Sequence, residues 1–165
     1  MKKNLVILFT LLLATQVLLA QKVKFRKIAK EDLEATVHPT DPEAEAAILY
    51  QSCRRHYVFN TADNFFKLQT QVHQRIKIYN QDGLSWADIA IPFHIEGSFS
   101  KLRAYTYNLK DGKTEEIKLE NQDIFTEDIN KYVKRRKAAM PGVVPGSVID
   151  IEYELSEPAT ISLRP

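Results

Sequence analysis

A thiol and an imidazole lie three residues apart in the run Cys53-Arg54-Arg55-His56. A cysteine beside a histidine base is a pairing used in nucleophilic catalysis. In an extended chain, however, residues three apart point to opposite faces, so these two side chains would meet only across a turn. We therefore predict an incidental strand cysteine and keep a thiol enzyme that uses Cys53 as the least favoured hypothesis.

Acidic residues alternate with apolar ones in the run IDIEYEL, residues 149–155. Alternation of this kind places Asp150, Glu152 and Glu154 on one face of a strand, with successive acids about 7 Å apart. The spacing suits a pair of catalytic carboxylates or a calcium site, but the outer face of any half-buried strand has the same pattern. We predict a solvated strand face.

The other histidines also lack the spacing of a site. His38, His73 and His94 are too far apart in the sequence to form a short metal-binding motif. His73 falls on the polar positions of a predicted strand, so we expect it to be solvated. The sequence contains no phosphate-binding loop, dinucleotide fingerprint or Gly-x-Ser-x-Gly motif. It predicts no cofactor, no metal and no catalytic residue.

Aromatic residues provide a weak candidate for ligand binding. Phe99, Tyr105 and Tyr107 fall on odd positions of one predicted strand and would share a face, with Trp86 upstream. Exposed rings can stack on sugars, although aromatic residues at a spacing of two more often belong to a core. These four residues carry the alternative hypothesis of a carbohydrate-binding module.

The first twenty residues are typical of a secretory signal peptide: two lysines are followed by an apolar run from Leu5 to Ala20. This run is shorter than the ~20 apolar residues of a membrane-spanning helix. We predict cleavage after Ala20, export to the periplasm or the cell exterior, and no transmembrane helix after cleavage. Position 21 is Gln and not Cys, so we predict no lipid anchor.

The balance of basic and acidic residues argues against nucleic acid as a partner. Of the 23 basic side chains, Lys2 and Lys3 belong to the predicted signal peptide, and the remaining 21 balance the 21 acidic ones. Nucleic-acid binding requires a sustained basic excess on one face, so we predict no nucleic-acid partner. The densest basic run, residues 134–137, is interpreted as a charged strand edge that discourages pairing with other chains.

The elements that would position these residues are mostly strands. Residues 66–79 alternate with period two, which predicts a strand whose even positions face a core and whose odd positions face water; NQDG at 80–83 ends this strand. Asp111-Gly112 predicts a hairpin turn between strands at 101–109 and 113–119. The run Val144-Pro145-Gly146-Ser147 places Pro and Gly at the centre of a type II turn.

Helical signals are short. DPEAEAA at 41–47 has an Asp N-cap followed by Pro, which predicts a short helix. Residues 121–131 suit a short helix or an irregular connection. We predict a signal peptide (1–20), a lead-in with a short helix (21–47), and a mainly β domain (48–165).

The predicted fold is an antiparallel immunoglobulin-like β-sandwich with one or two short helices. Residues 159–163 predict the start of another strand. We therefore expect a sandwich that is truncated at its C-terminus, exposes an unpaired sheet edge, and is marginally stable or self-associates.

Several phrases together resemble the domain of unknown function that precedes a transglutaminase-like domain in exported proteins of Gram-negative bacteria. They are DPEAEAAILY (41–50), RIKIYNQDGLSWADIAIPF (75–93), LRAYTYNLKDGKTEEIKL (102–119) and AAMPGVVPGSVIDIEYEL (138–155). The resemblance implies an immunoglobulin-like sandwich without catalytic residues, because the thiol, histidine and aspartate of the transglutaminase-like core would lie downstream. It implies a scaffolding or substrate-positioning module whose partners are a transglutaminase-like domain, a cell-envelope protein or a glycan.

Overall fold

The computed structural model describes residues 23–62 and 64–159, and these residues are mainly β. The predicted signal peptide and residues 160–163 of the last predicted strand lie outside the described residues. One α-helix, α1 (Lys30–Glu34), and two 3-10 helices (Asp82–Ala87 and Asn121–Asp123) accompany the strands. The strands are β1 (Ala46–Asn60), β2 (Phe65–Ile78), β3 (Asp88–His94), β4 (Ser98–Lys110), β5 (Lys113–Lys118), β6 (Phe125–Asp128), β7 (Val133–Ala139) and β8 (Val148–Pro158).

The strands form two antiparallel sheets, with the orders β1-β2-β8-β4-β5 and β3-β7-β6. Apolar side chains from both sheets meet in one core, and full burial of each large one contributes about 1.5–3 kcal/mol. The predicted antiparallel sandwich is therefore confirmed. The core side chains are those of Ile76, Ile78, Ala87, Ile89, Ala104, Leu119, Ala138, Met140, Ile149 and Ile151.

Both predicted turns form where their residues allow positive φ. Asp111 and Gly112 have φ of 52° and 72° and connect β4 to β5. Gly146 has φ of 94°, and the Ser147 N–H donates to the Val144 carbonyl at 3.0 Å. The turn chemistry is local, so the sequence alone was enough to place both turns.

The helix predicted at residues 41–47 is wrong. Those residues form a turn, in which the Ala44 N–H donates to the Asp41 carbonyl at 3.0 Å, and β1 begins at Ala46. Ala46 pairs with Ile78 of β2, so strand pairing overrides the local helix signal. The helix of the lead-in is α1, further upstream.

The interpretation of residues 134–137 as a strand edge is also wrong. They lie in β7, the middle strand of its sheet, which pairs with β3 on one side and β6 on the other. Acids of β6 neutralise the basic run: Arg135 lies 3.1 Å from Glu127 and Lys134 lies 3.9 Å from Asp128. Residues 121–131 were predicted as a short helix or an irregular connection; within them, Asn121–Asp123 form a 3-10 turn and Phe125–Asp128 form β6.

The five-stranded sheet is covered on both sides. One side packs on the three-stranded sheet; the other, here called the back face, packs under the lead-in. Leu33 of α1, only 5% exposed, forms a second apolar cluster there with Tyr105, Tyr107 and Val148. Phe25 and Ile28 pack against that cluster. Polar residues of the back face are therefore buried beneath the lead-in.

Candidate functional site

Four ionisable side chains lie close together on the back face. We call His73, Arg75 and Lys77 of β2 and Asp150 of β8 the back-face cluster. Lys77 and Asp150 are fully buried, Arg75 is 4% exposed and the His73 side chain is 14% exposed. Alternation along β2 brings its three members to one side of the sheet.

Asp150 is the centre of the cluster. Its Oδ2 accepts a hydrogen bond from the Arg26 backbone N–H at 2.8 Å, and its Oδ1 lies 2.8 Å from Nε2 of His73. The Arg75 guanidinium donates to Oδ2 at 3.3 Å. A fully buried carboxylate is tolerated only with partners of this kind. The carboxylate thus fixes the lead-in to the sheet.

The prediction of a solvated acidic face is therefore wrong for Asp150. It is wrong for His73 as well, because the lead-in covers the side of β2 on which that ring lies. Glu152 is partly buried and is held by Arg103 at 2.6 Å and Lys101 at 2.9 Å. The burial comes from residues that lie more than forty positions along the chain from the β2 side chains they cover, as in the contacts of Lys24 with Arg75 and of Leu33 with Lys77, and local alternation cannot reveal it.

The two long cations of the cluster bind backbone carbonyls of the lead-in. Arg75 Nη2 donates to the Lys24 carbonyl at 3.2 Å. Lys77 Nζ donates to the Leu33 carbonyl at 3.0 Å and to the Gly146 carbonyl at 2.6 Å. A cation near the last carbonyls of a helix is favourable, and Leu33 lies in the final turn of α1. These side chains therefore hold the lead-in by its main chain.

Arg26 adopts an uncommon backbone conformation to join this network. Its φ is 64°, in the left-handed region that costs a non-glycine residue about 1–2 kcal/mol. Its side chain donates to Glu116 at 2.6 Å, and its guanidinium carbon lies 4.5 Å from the centre of the Tyr105 ring. The contacts of its N–H with Asp150 and of its side chain with the sheet offset the cost of this conformation.

Lys77 makes the stability depend on pH. Burial lowers the pKa of Lys77 to about 8, although the Asp32 carboxylate opposes the shift. The unfolded chain keeps the ordinary lysine pKa of ~10.4, so unfolding takes up a proton between these values and stability rises with pH. From about pH 7 to pH 10, we expect the free energy of unfolding to increase by roughly 2–3 kcal/mol more than in Lys77→Met. Urea unfolding of both proteins across that range measures the difference, and parallel curves would contradict the assignment.

A serine lies beside the histidine of the cluster. Ser52 of β1 is directly opposite His73 in the sheet register, so a hydroxyl, an imidazole and a carboxylate occupy neighbouring strands. No hydrogen bond joins Ser52 to His73 in the described residues. The His73 ring instead packs against Phe25 and Tyr50, with ring centres 5.7 and 4.9 Å away. The contacts of the His73 ring are those of packing and anchoring.

Cys53 and His56 lie on opposite faces of β1, as predicted. Cys53 is opposite Val72 of β2, and His56 is opposite Gln69. Val72 and Gln69 are three positions apart, an odd number, so their partners point to opposite faces. The thiol is exposed. The structure therefore provides no thiol–imidazole pair from this run.

The three candidate ring residues of β4 do not share a face. A bulge between Phe99 and Lys101 shifts the register, so Phe99 is opposite Leu155 whereas Tyr105 is opposite Asp150. Tyr105 and Tyr107 are buried on the back face. Phe99 packs on Phe93 on the other side, with ring centres 5.0 Å apart. The prediction of a shared face is wrong, because a bulge reverses the alternation and leaves no clear sequence signal.

Trp86 is the member of the predicted set that remains accessible, at 42% exposed. It lies in the first 3-10 helix and lines a cleft of about 320 Å³ between the two sheets, together with Ile91 and Tyr153. Carbohydrate binding by Trp86 stays a prediction.

Sequence reasoning missed the back-face cluster altogether. The available signal was the lead-in itself, in which Phe25, Ile28 and Leu33 are apolar residues that need a surface to pack against. Within residues 23–62 and 64–159, no three His, Cys, Asp or Glu side chains lie close enough to hold a metal ion. The same residues include no helix that is long and apolar enough to cross a membrane.

The family model of a domain of unknown function with a solved structure, DUF3857, matches residues 66–162. The chain belongs to this family. The resemblance to a domain of unknown function, read from the sequence, is thereby confirmed. The match to DUF3857 begins in β2, so the lead-in and β1 lie outside the matched part of the chain.

One solved structure supports the fold. The chain is similar to the crystal structure described as a "putative protease" from Parabacteroides distasonis, with a TM-score of 0.51 and 14% sequence identity. The similarity covers 68% of this chain and 23% of that chain, so this chain spans about a quarter of the other protein's length. No curated protein matches the chain. At this identity the likeness shows the fold alone.

Proposed function

We propose that the chain is a non-catalytic, exported β-sandwich module that holds or positions a neighbouring domain or its substrate. The observation that carries the proposal is the use made of the back-face cluster. Asp150 accepts bonds from the lead-in and from the sheet, and Arg75 and Lys77 donate to lead-in carbonyls. Groups that are buried and saturated in this way anchor a structure and are not available to a substrate.

The comparison with a solved structure supports a modular role. The fold occurs within a much longer chain, of which this one spans 23%. The sequence resemblance suggests a transglutaminase-like domain as the neighbour, with a cell-envelope protein or a glycan as other partners. The apolar N-terminal run that predicts a signal peptide supports export to the periplasm or the cell exterior.

The test is an assay of the isolated chain, residues 21–165, for peptide hydrolysis and for amine incorporation into protein. We expect no turnover above the buffer rate in either assay. Cys53→Ser and His73→Gln are the matched variants, because they remove the exposed thiol and the imidazole of the cluster. Turnover by the wild-type chain that either substitution abolishes would overturn the proposal.

A further inference from the structure

Among the residues that the structure describes, β1 is an outer strand whose long edge pairs with no other strand. In β2, the Ile78 N–H donates to the Ser147 carbonyl, so even-numbered residues of β2 direct their backbone groups toward β8 and odd-numbered ones toward β1. Odd-numbered residues of β2 are paired with even-numbered residues of β1 from Ser52 onward. These even-numbered residues therefore direct their N–H and C=O groups toward β2. The odd-numbered residues direct their N–H and C=O groups outward. These are Gln51, Cys53, Arg55, Tyr57 and Phe59.

The outer edge of β3, by contrast, is protected against pairing with another strand. The Met140 N–H donates to the Ala87 carbonyl, so the even-numbered residues of β3 face outward. Of these, Asp88 donates its N–H to Ser85, Pro92 has none, and His94 donates to Oε1 of Glu157 at 2.8 Å. Proline and side-chain capping are the usual protections of a strand edge. From residue 51 to residue 60, β1 has neither proline nor bulge.

The charged residues of β1 indicate which kind of segment this edge would bind. β1 contains Arg54 and Arg55 and no acidic residue. The two arginines lie on opposite faces of the strand, so an added strand would meet a cation on either side. Opposite charges facing each other across strands contribute about 0.2–1 kcal/mol per pair, whereas like charges destabilise. The edge therefore favours an acidic strand.

A second copy of the chain is a poorer fit. The antiparallel register that uses all five outward residues of both copies is centred on Arg55 and sets the two guanidinium groups opposite each other. The self-association expected from the sequence is thus disfavoured in the register with the most hydrogen bonds.

Apolar side chains flank the basic part of the edge. Tyr57 and Phe59 are 59% and 47% exposed, and Phe59 stacks edge-on against Phe66 of β2 at 5.1 Å. An added strand would therefore meet cations at its middle and rings at one end. Main-chain hydrogen bonds with side-chain contacts of this kind are the mode of binding called β-strand addition.

We propose that the outer edge of β1, residues 51–59, binds an extended acidic segment of another polypeptide as a sixth strand of the larger sheet. The inference rests on the proposed role of the chain as a positioning module, and it names the chemistry of what is held. The two proposals fail separately. Catalytic turnover would overturn the role, whereas a null result at this edge would leave a non-catalytic module without this site.

The experiment measures fluorescence anisotropy of labelled nine-residue peptides with the chain 21–165. One peptide alternates valine and glutamate, and the other alternates valine and lysine. We expect the glutamate peptide to bind at least about tenfold more tightly, with an affinity that falls as salt is added. Replacing both arginines, in Arg54→Glu/Arg55→Glu, should reverse the preference. Equal binding of both peptides, or no binding of either, overturns the proposal.

Proline variants test the edge itself. Tyr57→Pro removes an outward N–H without breaking the ladder to β2, and Tyr57→Ala removes the ring alone. We expect the proline variant to bind about tenfold more weakly than the alanine variant. Thr114→Pro, at an outward position of β5 on the opposite edge of the sheet, is the matched control and should bind normally. Equal affinities for the two Tyr57 variants would exclude strand addition. A dimer of the free chain that protects Cys53 from maleimide would show that a second copy occupies this edge, and it would overturn the proposal of an acidic partner.

Discussion

Replacing Asp150 with alanine is expected to lower the free energy of unfolding by about 3–5 kcal/mol. The substitution leaves the buried Arg75 guanidinium with only the more distant Asp32 carboxylate, at 3.8 Å, and the Arg26 N–H without its acceptor. Removing one partner of a buried ion pair is costly because the other charge stays in a medium that solvates it poorly. Urea unfolding, followed by the fluorescence of Trp86, measures the loss.

Glu154→Ala is the matched control for this variant. Glu154 lies on the same strand and the same side as Asp150, but its contact with Lys101 is 3.9 Å long and partly exposed. An exposed pair contributes about 0–1 kcal/mol, so this substitution should change stability little. Asp150→Asn, which keeps the shape, gives a folded intermediate case if the alanine variant does not fold. Equal losses at positions 150 and 154 would show that the cluster does not hold the fold.

β2 shows how far local sequence predicts this structure. The even-numbered residues Val72, Ile76 and Ile78 were predicted to face a core, and they do. The odd-numbered residues Arg75 and Lys77 were predicted to face water, and they are buried. A period of two reveals that one side of a strand is apolar. It does not reveal whether a remote segment covers the other side.

The other predictions were likewise right where the signal is local and wrong where the structure depends on distant residues. The turn at Asp111-Gly112 depends on the φ angles of its own residues, so the sequence predicted it. The helix at 41–47 failed because β2 recruits Ala46 into a strand, and the shared face of Phe99 and Tyr105 failed because of a bulge. Pairing and register are non-local, and a single sequence encodes them only weakly.

The lead-in and β1 belong to the fold even though the DUF3857 match begins at residue 66. β1 pairs with β2 along its whole length, and the lead-in supplies the apolar cover of the back face. It also supplies the N–H and the carbonyls that satisfy Asp150, Arg75 and Lys77. A fragment cut at the family boundary would therefore leave buried charges without partners.

Removing the lead-in is expected to have the largest effect of all. A chain that starts at residue 36 loses every lead-in contact of the back-face cluster together with the packing of Leu33 on Tyr107 and Val148. We expect a loss on the order of 5 kcal/mol or more, which is comparable to the whole stability of a typical domain. The truncated chain should therefore lose its near-UV circular dichroism, bind a hydrophobic dye and unfold without a cooperative transition.

Two control proteins distinguish the loss of the lead-in contacts from the effect of shortening the chain. A chain that starts at residue 23 keeps every described contact of the lead-in with the sheet, and it should unfold cooperatively. Leu33→Asp keeps the full length but places a charge in the apolar cluster, and it should lie between the two. If the chain from residue 36 unfolds cooperatively at the same urea concentration as the chain from residue 23, the lead-in is an attachment to a self-sufficient sandwich. If it does not, the back-face cluster is what makes these residues an integral part of the fold.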